Sequence, residues 1–413
     1  MRLLITNTYY FPAFDGGAEI SVKLLAEGLV KAGHQIFVLT TGKETKIYRV
    51  NGVIVISLKQ RNIFNSYKKG SVPVVLKMFW HMIDSCNPFY HFQIRSILKR
   101  LKPNVVHTNN VQGFSPFLWL TVKSQRIPLV HSMRDYYMLC FKCNMFNSGQ
   151  QNCDKLCTAC KVTHTVKRNF FKYPDLFIGI SDFILKKYKS YVPISSEKST
   201  LIYNAVDTKK LEEAKPLGDK IRFGYIGRIA KDKGVEYMVN ELSQLTEDQK
   251  SRFSVTLAGN GDIDFVEELK SKLKGIDHTF LGVAKPADFY TAIDVLLVPA
   301  LWNEPFGRIV IESLSFNVPV CQSDRGGLKE LYDDQTSWLF TPEAGNLTKA
   351  IHEILDNKDQ IAVKSANCLN DTGKFSADRY VNDHIKVYKK LTSNYKPEYS
   401  KAGNFPALLT KTD

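Results

Sequence analysis

The alternation of short apolar runs with helical patterns is the feature that most constrains how this chain folds. Runs of this kind, rich in β-branched residues, are typical of parallel strands that are buried on both faces. Residues 20–32 have helical spacing and end at Gly33, which predicts a strand–loop–helix–strand unit near the start of the chain. The predicted strands form two series: residues 3–6, 36–40, 104–108, 128–132, 176–181 and 199–204, then residues 221–227, 253–259, 278–283, 294–300 and 318–323.

The two series predict an α/β protein with two Rossmann-like, doubly wound parallel-sheet domains that face a cleft. A chain of 413 residues suits two cores better than one. The polar stretch "KKLEEAKPLGDK" separates the series, so we expect domains at 1–208 and 209–394 and a disordered tail at 395–413. The last helix, at about 376–393, is a candidate to cross back to the first domain. Ligands of such sheets bind beyond the carboxyl ends of the strands, so we expect the site in the cleft.

The net charge of +15 is concentrated in the first half of the chain. Residues 1–215 hold 31 Lys and Arg against 13 Asp and Glu, a net of +18, whereas the remainder holds 25 against 28, a net of −3. Such a half would suit an anionic membrane face, a lipid diphosphate or a polyanion, and the alternative is a solvated basic surface. We expect no nucleic-acid partner, because no motif supports one.

The hydropathy pattern favours a cytoplasmic protein. The first residues, "MRLLITNTYYFP", lack the apolar core of a signal peptide, and no stretch approaches the ~20 apolar residues of a spanning helix. The basic, aromatic-bearing stretch "YKKGSVPVVLKMFWHM" (67–82) is a candidate for peripheral contact with the inner face of the membrane. The alternative is that its aromatic side chains belong to the core.

Five of the eight cysteines lie within residues 140–160, in the order C-x2-C-x9-C-x3-C-x2-C. Two- and three-residue spacings suit tetrahedral zinc, and thiols stay reduced in the cytoplasm. A structural zinc site within an insert at 140–164 is therefore one hypothesis, and thiols or disulfides without metal, or an iron–sulfur cluster, are the others. The candidate ligands, of which a subset would bind, are Cys140, Cys143, Cys153, Cys157, Cys160 and His164.

The segment "EPFGRIVIESLSFNVPV" holds two glutamates, Glu304 and Glu312, around a predicted helix start. The N–H groups of Phe306, Gly307 and Arg308 would be unpaired helix-start donors that suit phosphate. A carboxylate on each side of the helix start could accept hydrogen bonds from sugar hydroxyls. The alternative is an ordinary helix with an acidic first turn.

Two further segments carry groups that suit a phosphate ligand. In "GYIGRIAKDKGVEYMV", Arg228 and Lys233 follow a strand, where they could bind a diphosphate or simply be exposed loop cations. In "FDGGAEISVKLL", Gly16 and Gly17 would let a ligand approach the backbone beside a helix N-terminus. The pattern is not G-x-G-x-x-G, so a dinucleotide site is not indicated.

Together these stretches resemble the retaining glycosyltransferases of family 4, which have the GT-B fold and belong to the glycosyl transferases group 1. The matching pieces cover most of residues 1–345 in the family's order: "GGAE", "LAEGLVKAGHQIFVLT", "IGISDFI", "LIYNAVD", "YIGRIAKDKGVEYMV", "LAGNGD", "FLGV" and "VPALWNEPFGRIVIESLSFNVPV". The resemblance implies a hexosyltransferase-type enzyme of surface polysaccharide or glycolipid biosynthesis. Another GT-B chemistry, such as a phosphorylase or a nucleotide-sugar epimerase, and a non-catalytic zinc- or sugar-nucleotide-binding scaffold are the alternatives.

The resemblance also implies where the substrates bind. The C-terminal domain would bind a UDP- or GDP-linked sugar, and the N-terminal domain a glycan or lipid-linked acceptor. No cofactor would be required, because cations and helix dipoles stabilise the departing diphosphate. The implied donor-binding positions are Arg228 and Lys233 for the diphosphate, Glu304 with Phe306 and Gly307 for the sugar, Glu312 for the ribose, Gly282 and Val283 beside the base, and Gly16 and Gly17 over the phosphates.

The chain departs from the family where members often carry a His-Asp pair after the fifth strand. Here the segment reads "PLVHSMRDYYMLC", and Arg134 occupies the position before Asp135. We therefore predict Arg134 and Asp135, with Glu304, as the catalytic candidates. His131 would lie on the strand and is expected to be a core histidine.

Overall fold

A computed structural model describes residues 1–12, 16–64, 72–207, 216–368 and 372–393. Within these ranges the chain forms two sheets flanked by helices, parallel except at the edge strand β3 (residues 46–50), which confirms the predicted fold class. The predicted boundary near residue 209 and the predicted tail at 395–413 lie outside the described residues.

The first sheet has eight strands in the order β3-β4-β2-β1-β5-β6-β7-β8. β3 runs antiparallel to β4, and the other neighbours are parallel. The central strand β1 is buried from Leu3 to Thr6, as expected for a strand covered on both faces. The strands are β1 (Arg2–Thr6), β2 (Gln35–Gly42), β3 (Lys46–Val50), β4 (Val53–Lys59), β5 (Val105–Thr108), β6 (Leu129–Met133), β7 (Leu176–Gly179) and β8 (Ser199–Leu201).

The helices of this half cover the sheet with amphipathic faces. Val22, Leu25 and Leu29 of the first helix recur at helical spacing and are fully buried. The helix at Asp182–Lys189 begins after Ser181, whose hydroxyl accepts the Ile184 N–H as an ordinary N-cap. The helices of this half are α1 (Gly17–Lys31), α2 (Val74–Ser85), α3 (His91–Leu101), α4 (Phe117–Lys123), α5 (Thr158–Arg168) and α6 (Asp182–Lys189).

The second sheet has six parallel strands in the order β11-β10-β9-β12-β13-β14. Its strands are β9 (Ile221–Ile226), β10 (Phe253–Ala258), β11 (Asp277–Gly282), β12 (Val295–Val298), β13 (Val320–Ser323) and β14 (Ser337–Phe340). The helices of this half are α7 (Val235–Ser243), α8 (Glu247–Ser251), α9 (Ile263–Lys272), α10 (Pro286–Ala292), α11 (Arg308–Ser315), α12 (Asn346–Asp356), α13 (Asp359–Cys368) and α14 (Ala377–Ser393).

Each apolar run that predicts a strand lies on one, but three of the described strands, β3, β4 and β14, were not predicted. β4 is an inner strand with the mostly buried run "VIVISLK", so its sequence carried the signal and the prediction missed it. β3 is the edge of the first sheet and is half-exposed, so its sequence "KIYRV" alternates weakly with polar residues. β14 is the edge of the second sheet and has only four residues. The pattern misses β3 and β14 because edge strands need less apolar sequence than central ones.

The final helix, α14, packs against the first half of the chain. A Cβ at Gly28 of α1 would overlap the Val381 side chain, so the glycine lets the two helices approach closely. The buried Tyr388 hydroxyl lies 2.7 Å from Nδ1 of His107, on β5. Helix α14, which follows the second sheet in the chain, therefore joins the two halves.

Candidate functional site

Lys233 and Glu304 meet at the carboxyl edge of the second sheet. The Lys233 Nζ atom donates to Glu304 Oε1 at 2.5 Å, and the Trp302 indole N–H donates to the same oxygen at 2.8 Å. The Lys233 ammonium also lies 4.6 Å from the Trp302 ring centroid, within cation–π range. The structure thus brings together two predicted residues that are 71 positions apart.

Gly234 explains how the turn that carries Lys233 reaches this position. Its φ is +75°, and a Cβ there would overlap the Pro299 carbonyl, so a side chain is excluded. The Asp232 carbonyl then accepts the N–H groups of Leu301 and Trp302, both at 3.2 Å. The turn after β9 is therefore docked on the loop after β12.

The start of α11 lies directly beyond Glu304. Gly307 precedes the helix with a φ of +104°, and a Cβ there would overlap Leu328, which favours glycine at this point. Within the described residues no side chain caps the helix. The Val310 N–H donates to the Gly307 carbonyl at 3.0 Å, and the N–H groups before it lie at the open end of the helix, where they can face an anionic ligand. The neighbouring Phe306 side chain is buried and contributes only its main chain.

Arg308 connects the two halves across the cleft. It donates to Glu312 Oε1 at 2.7 Å, to the Ser21 hydroxyl of α1 at 3.3 Å and to the Ala205 carbonyl at 3.0 Å. A Cβ at Gly17 would lie 3.4 Å from Arg308 Cδ, so the start of α1 faces the start of α11. Arg308 therefore lies between the Gly16–Gly17 loop and Glu312. Its side chain was not among the predicted site residues.

Arg228, Gly282 and Val283 lie at the same edge of the sheet but make other contacts. The Arg228 guanidinium is mostly exposed and donates to Asp232 at 2.8 Å. Gly282 ends β11, where its carbonyl accepts the Gly259 N–H, and Val283 is 74% exposed. None of these contacts involves the Lys233–Glu304 pair.

Arg134 has a partner at each guanidinium nitrogen and is buried. It donates to Asn109 at 2.7 Å, Asn204 at 2.6 Å and the Tyr380 hydroxyl of α14 at 2.7 Å. The Asp135 carboxylate accepts the Tyr137 N–H at 2.8 Å, and burial raises its pKa to about 6. The contacts of both residues are with the first half and with α14, and their catalytic role stays a prediction.

His131 lies in the core on β6. Its Nδ1 atom is 3.0 Å from the Thr108 hydroxyl, and its ring packs on Trp119 with 4.7 Å between centroids. Burial lowers the pKa of His131 to about 3, so the ring is neutral.

A buried charged cluster lies beneath the cysteine-rich insert and was not apparent from the sequence. The Lys167 ammonium is 1% exposed, donates to the Tyr137 carbonyl at 2.7 Å and sits 3.6 Å from the Tyr137 ring centroid. The fully buried Asp84 carboxylate accepts the Tyr137 hydroxyl and the Gly113 N–H, each at 2.7 Å. Burial raises the pKa of Asp84 to about 6. Residues so far apart in the chain carry no local signal of this contact.

The eight cysteines are all free thiols. Cys140 and Cys160 are buried and hydrogen-bonded to each other, which lowers the pKa of Cys140 to about 6. Nδ1 of His164 lies 3.0 Å from the Met138 carbonyl, and the Cys143 thiol faces Gln112 Oε1 at 3.9 Å. Among the residues that the structure describes, no group of three or more His, Cys, Asp and Glu side chains is arranged as a metal site. Zinc in this insert stays a prediction.

Glu330 makes a contact between the two halves that sequence reasoning missed. Its carboxylate accepts the N–H groups of Asp182 at 2.8 Å and Phe183 at 2.5 Å, at the start of α6. The Ser181 hydroxyl donates to the Pro305 carbonyl at 2.5 Å beside it. A carboxylate at a helix start is a favourable cap, and here the cap comes from the other half of the chain.

Two facing α/β halves, with cations, carboxylates and an open helix start at their cleft, have the architecture of the GT-B class. The family model described as Glycosyltransferase Family 4 matches residues 15–210, and the model described as Glycosyl transferases group 1 matches residues 207–398. The chain belongs to the GT-B glycosyltransferases of group 1, as the sequence motifs predict.

Two relatives match at least half of this chain. An uncharacterized 42.6 kDa protein in the cps region of Klebsiella pneumoniae is 29% identical over 94% of this chain and 100% of its own length. The lipopolysaccharide core biosynthesis mannosyltransferase LpsB of Rhizobium meliloti is 26% identical over 52% of this chain and 69% of its own length. The chain therefore has one relative in a cps region and another that is a lipopolysaccharide core mannosyltransferase.

Solved structures share the fold. Sucrose-phosphate synthase from Thermosynechococcus elongatus superposes with a TM-score of 0.75 at 19% identity, over 95% of this chain and all of that one. Anabaena HepE in complex with UDP superposes with a TM-score of 0.69 at 17% identity, over 94% of this chain and all of that one. At these identities the likeness shows the GT-B fold.

A helix that crosses a bilayer needs about 20 predominantly apolar residues. In the described ranges, no helix is both long enough and apolar enough to cross a membrane.

Proposed function

We propose that this protein is a retaining hexosyltransferase that moves a sugar from a UDP- or GDP-linked donor to a glycan or lipid-linked acceptor in surface polysaccharide or glycolipid biosynthesis. The observation that carries the proposal is the Lys233–Glu304 pair beside the uncapped start of α11. In this proposal residues 209–394 bind the donor and residues 1–208 bind the acceptor.

The positive groups at the cleft would stabilise the departing nucleoside diphosphate. Lys233, Arg228 and the first N–H groups of α11 supply positive potential where negative charge develops during transfer. Glu304 holds Lys233 in place before the donor binds, and its carboxylate then accepts hydrogen bonds from the transferred sugar. Glu312, which Arg308 orients at 2.7 Å, would bind the ribose hydroxyls.

The relatives support the choice of donor and pathway. One structural neighbour, HepE, is described in complexes with UDP and with UDP-glucose. One sequence relative is an uncharacterized protein in a cps region, and another is a lipopolysaccharide core mannosyltransferase. We therefore assign hexoses as the sugar class and a surface glycan as the product class.

A screen of UDP- and GDP-linked hexoses by thermal shift identifies the donor, and acceptor-dependent release of the nucleoside diphosphate then tests transfer. Retention is read from the anomeric configuration of the product by NMR. We expect Glu304→Ala to abolish transfer. Wild-type turnover in Glu304→Ala would remove Glu304 from the site, and an inverted product would refute the retaining assignment.

One exposed apolar face supports a lipid-linked acceptor. Val75, Met78, Phe79 and Met82 recur at i, i+3, i+4 and i+7 on α2, which places them on one side of the helix. Each is between 44% and 61% exposed, an unusual density of apolar surface for a helix in water. Exposed Lys77 lies on the same helix.

We propose that this α2 apolar face inserts into the surface of an anionic membrane, with the net charge of +18 in residues 1–215 adding electrostatic attraction. Flotation with phosphatidylcholine vesicles that contain phosphatidylglycerol tests this. Phe79→Glu with Met82→Glu should lose vesicle binding, whereas Ile263→Glu on α9, which replaces a 78% exposed side chain in the other half, should keep it. Equal flotation of all three proteins, or none by the wild type, would refute membrane docking.

A further inference from the structure

The cysteine-rich insert contacts the loop that carries Trp302 and Glu304. Asn152 donates from Nδ2 to the Leu301 carbonyl at 2.8 Å, and its Oδ1 atom accepts the Asn303 N–H at 2.7 Å. One side-chain amide thus pairs with the backbone on both sides of Trp302, much as a neighbouring strand would.

A second contact from the first half holds the same loop. The buried Tyr136 hydroxyl donates to the Asn303 carbonyl at 2.6 Å, and its ring packs edge-on to Trp302 with 6.1 Å between centroids. On the opposite side, the Asp232 carbonyl accepts the Leu301 and Trp302 N–H groups. The loop is therefore fixed between the donor side and the acceptor side of the cleft.

Asn152 is itself placed by the backbone of the insert. Phe146 and Asn152 form an antiparallel bridge, and the Cys153 N–H donates to the Met145 carbonyl at 2.8 Å. This short hairpin presents the amide side chain across the cleft. No local sequence pattern indicates such a role for an asparagine in a polar, cysteine-rich stretch.

We propose that Asn152 is a positioning residue for Glu304. By fixing the backbone on both sides of Trp302, Asn152 sets the indole N–H and the Glu304 carboxylate in the arrangement that holds Lys233. The contact joins residue 152 of the first half to residues 301 and 303 of the second, so the insert positions the Glu304 part of the site and leaves the nucleotide-binding part unchanged. This inference rests on the proposed transferase function.

Asn152→Ala tests the inference, with Gln151→Ala as the matched control because Gln151 is an exposed neighbour in the same hairpin. Misplacement of a reacting group costs on the order of 10²-fold in rate, so we expect kcat of Asn152→Ala to fall by about 10- to 100-fold. The Kd for UDP or GDP should stay within about threefold, because Lys233 and the α11 start remain. Tyr136→Phe, which removes one hydroxyl only, should lower kcat in the same direction and serves if Asn152→Ala does not fold.

Hydrogen exchange of the peptide 299–305 gives a readout independent of activity. The Asn303 amide should exchange faster in Asn152→Ala and at the wild-type rate in Gln151→Ala. The inference would be overturned if the Asn303 amide of Asn152→Ala exchanged at the wild-type rate. It would also be overturned if the wild type were active and Asn152→Ala had the same kcat. An inactive wild type with every donor would instead refute the proposed function, while the exchange comparison would still decide the contact.

Discussion

Replacing Lys233 with Met should separate ligand binding from stability. The Lys233 side chain is 26% exposed and that of Glu304 is 16% exposed, so their ion pair is partly screened by water. Pairs of this kind contribute about 0–1 kcal/mol to folding, and the contact with Trp302 adds about 0.5–1 kcal/mol. The free energy of unfolding should therefore fall by no more than about 2 kcal/mol in Lys233→Met.

The same substitution should weaken nucleotide binding far more. A hydrogen bond from an ammonium to a charged acceptor contributes about 1.5–3 kcal/mol. At about 1.4 kcal/mol per tenfold, this corresponds to a roughly 10- to 150-fold increase in Kd for UDP or GDP. Isothermal titration calorimetry with both nucleotides measures the change directly, without knowledge of the acceptor.

Two variants make the measurement specific. Lys231→Met is the control, because Lys231 lies two positions earlier, is 57% exposed and pairs with Glu236 at 3.7 Å instead. Glu304→Gln removes the carboxylate that competes for Lys233, so it should bind the nucleotide as tightly as the wild type or more so, yet lose transfer. A Kd in Lys233→Met within twofold of the wild-type value would refute the assignment of Lys233 to the diphosphate.

Three further outcomes are expected. Because burial raises the pKa of Asp84 from 3.8 to about 6, its ionisation opposes folding, so the stability it contributes falls as pH rises from about 4 to 6. In urea unfolding, the free energy of unfolding of Asp84→Asn should rise by about 3 kcal/mol relative to the wild type between pH 4 and pH 7. Asp154→Asn, an exposed control, should show no such rise. Parallel plots of unfolding free energy against pH for Asp84→Asn and the wild type would contradict the buried charge. Glu330→Ala should speed hydrogen exchange of the Asp182 and Phe183 amides. Glu330→Gln keeps an acceptor and should largely restore their protection. Unchanged exchange in Glu330→Ala would refute the cap across the cleft. Treatment with EDTA should leave nucleotide binding unchanged, because protein cations serve the diphosphate; loss of binding that Mg²⁺ restores would contradict this.

The sequence by itself determined the fold class and the edge at which the donor-side residues gather. Strands buried on both faces need continuous apolar runs, and these runs located eleven of the fourteen described strands, although β4, which has such a run, was missed. Loops that follow parallel strands meet at one edge of the sheet, and this placed Lys233 and Glu304 near each other. The edge strand β3 escaped the same reasoning, because a half-exposed strand needs no such run.

Only the tertiary structure decided which side chains meet. Lys233, rather than Arg228, pairs with Glu304, because Gly234 allows that turn to dock on the neighbouring loop. The contacts of Asn152 and Glu330 join residues about 150 positions apart, and they depend on how the two halves come together. Sequence spacing carries no information on that arrangement, since a side chain's partners across a cleft are set by packing rather than by local periodicity.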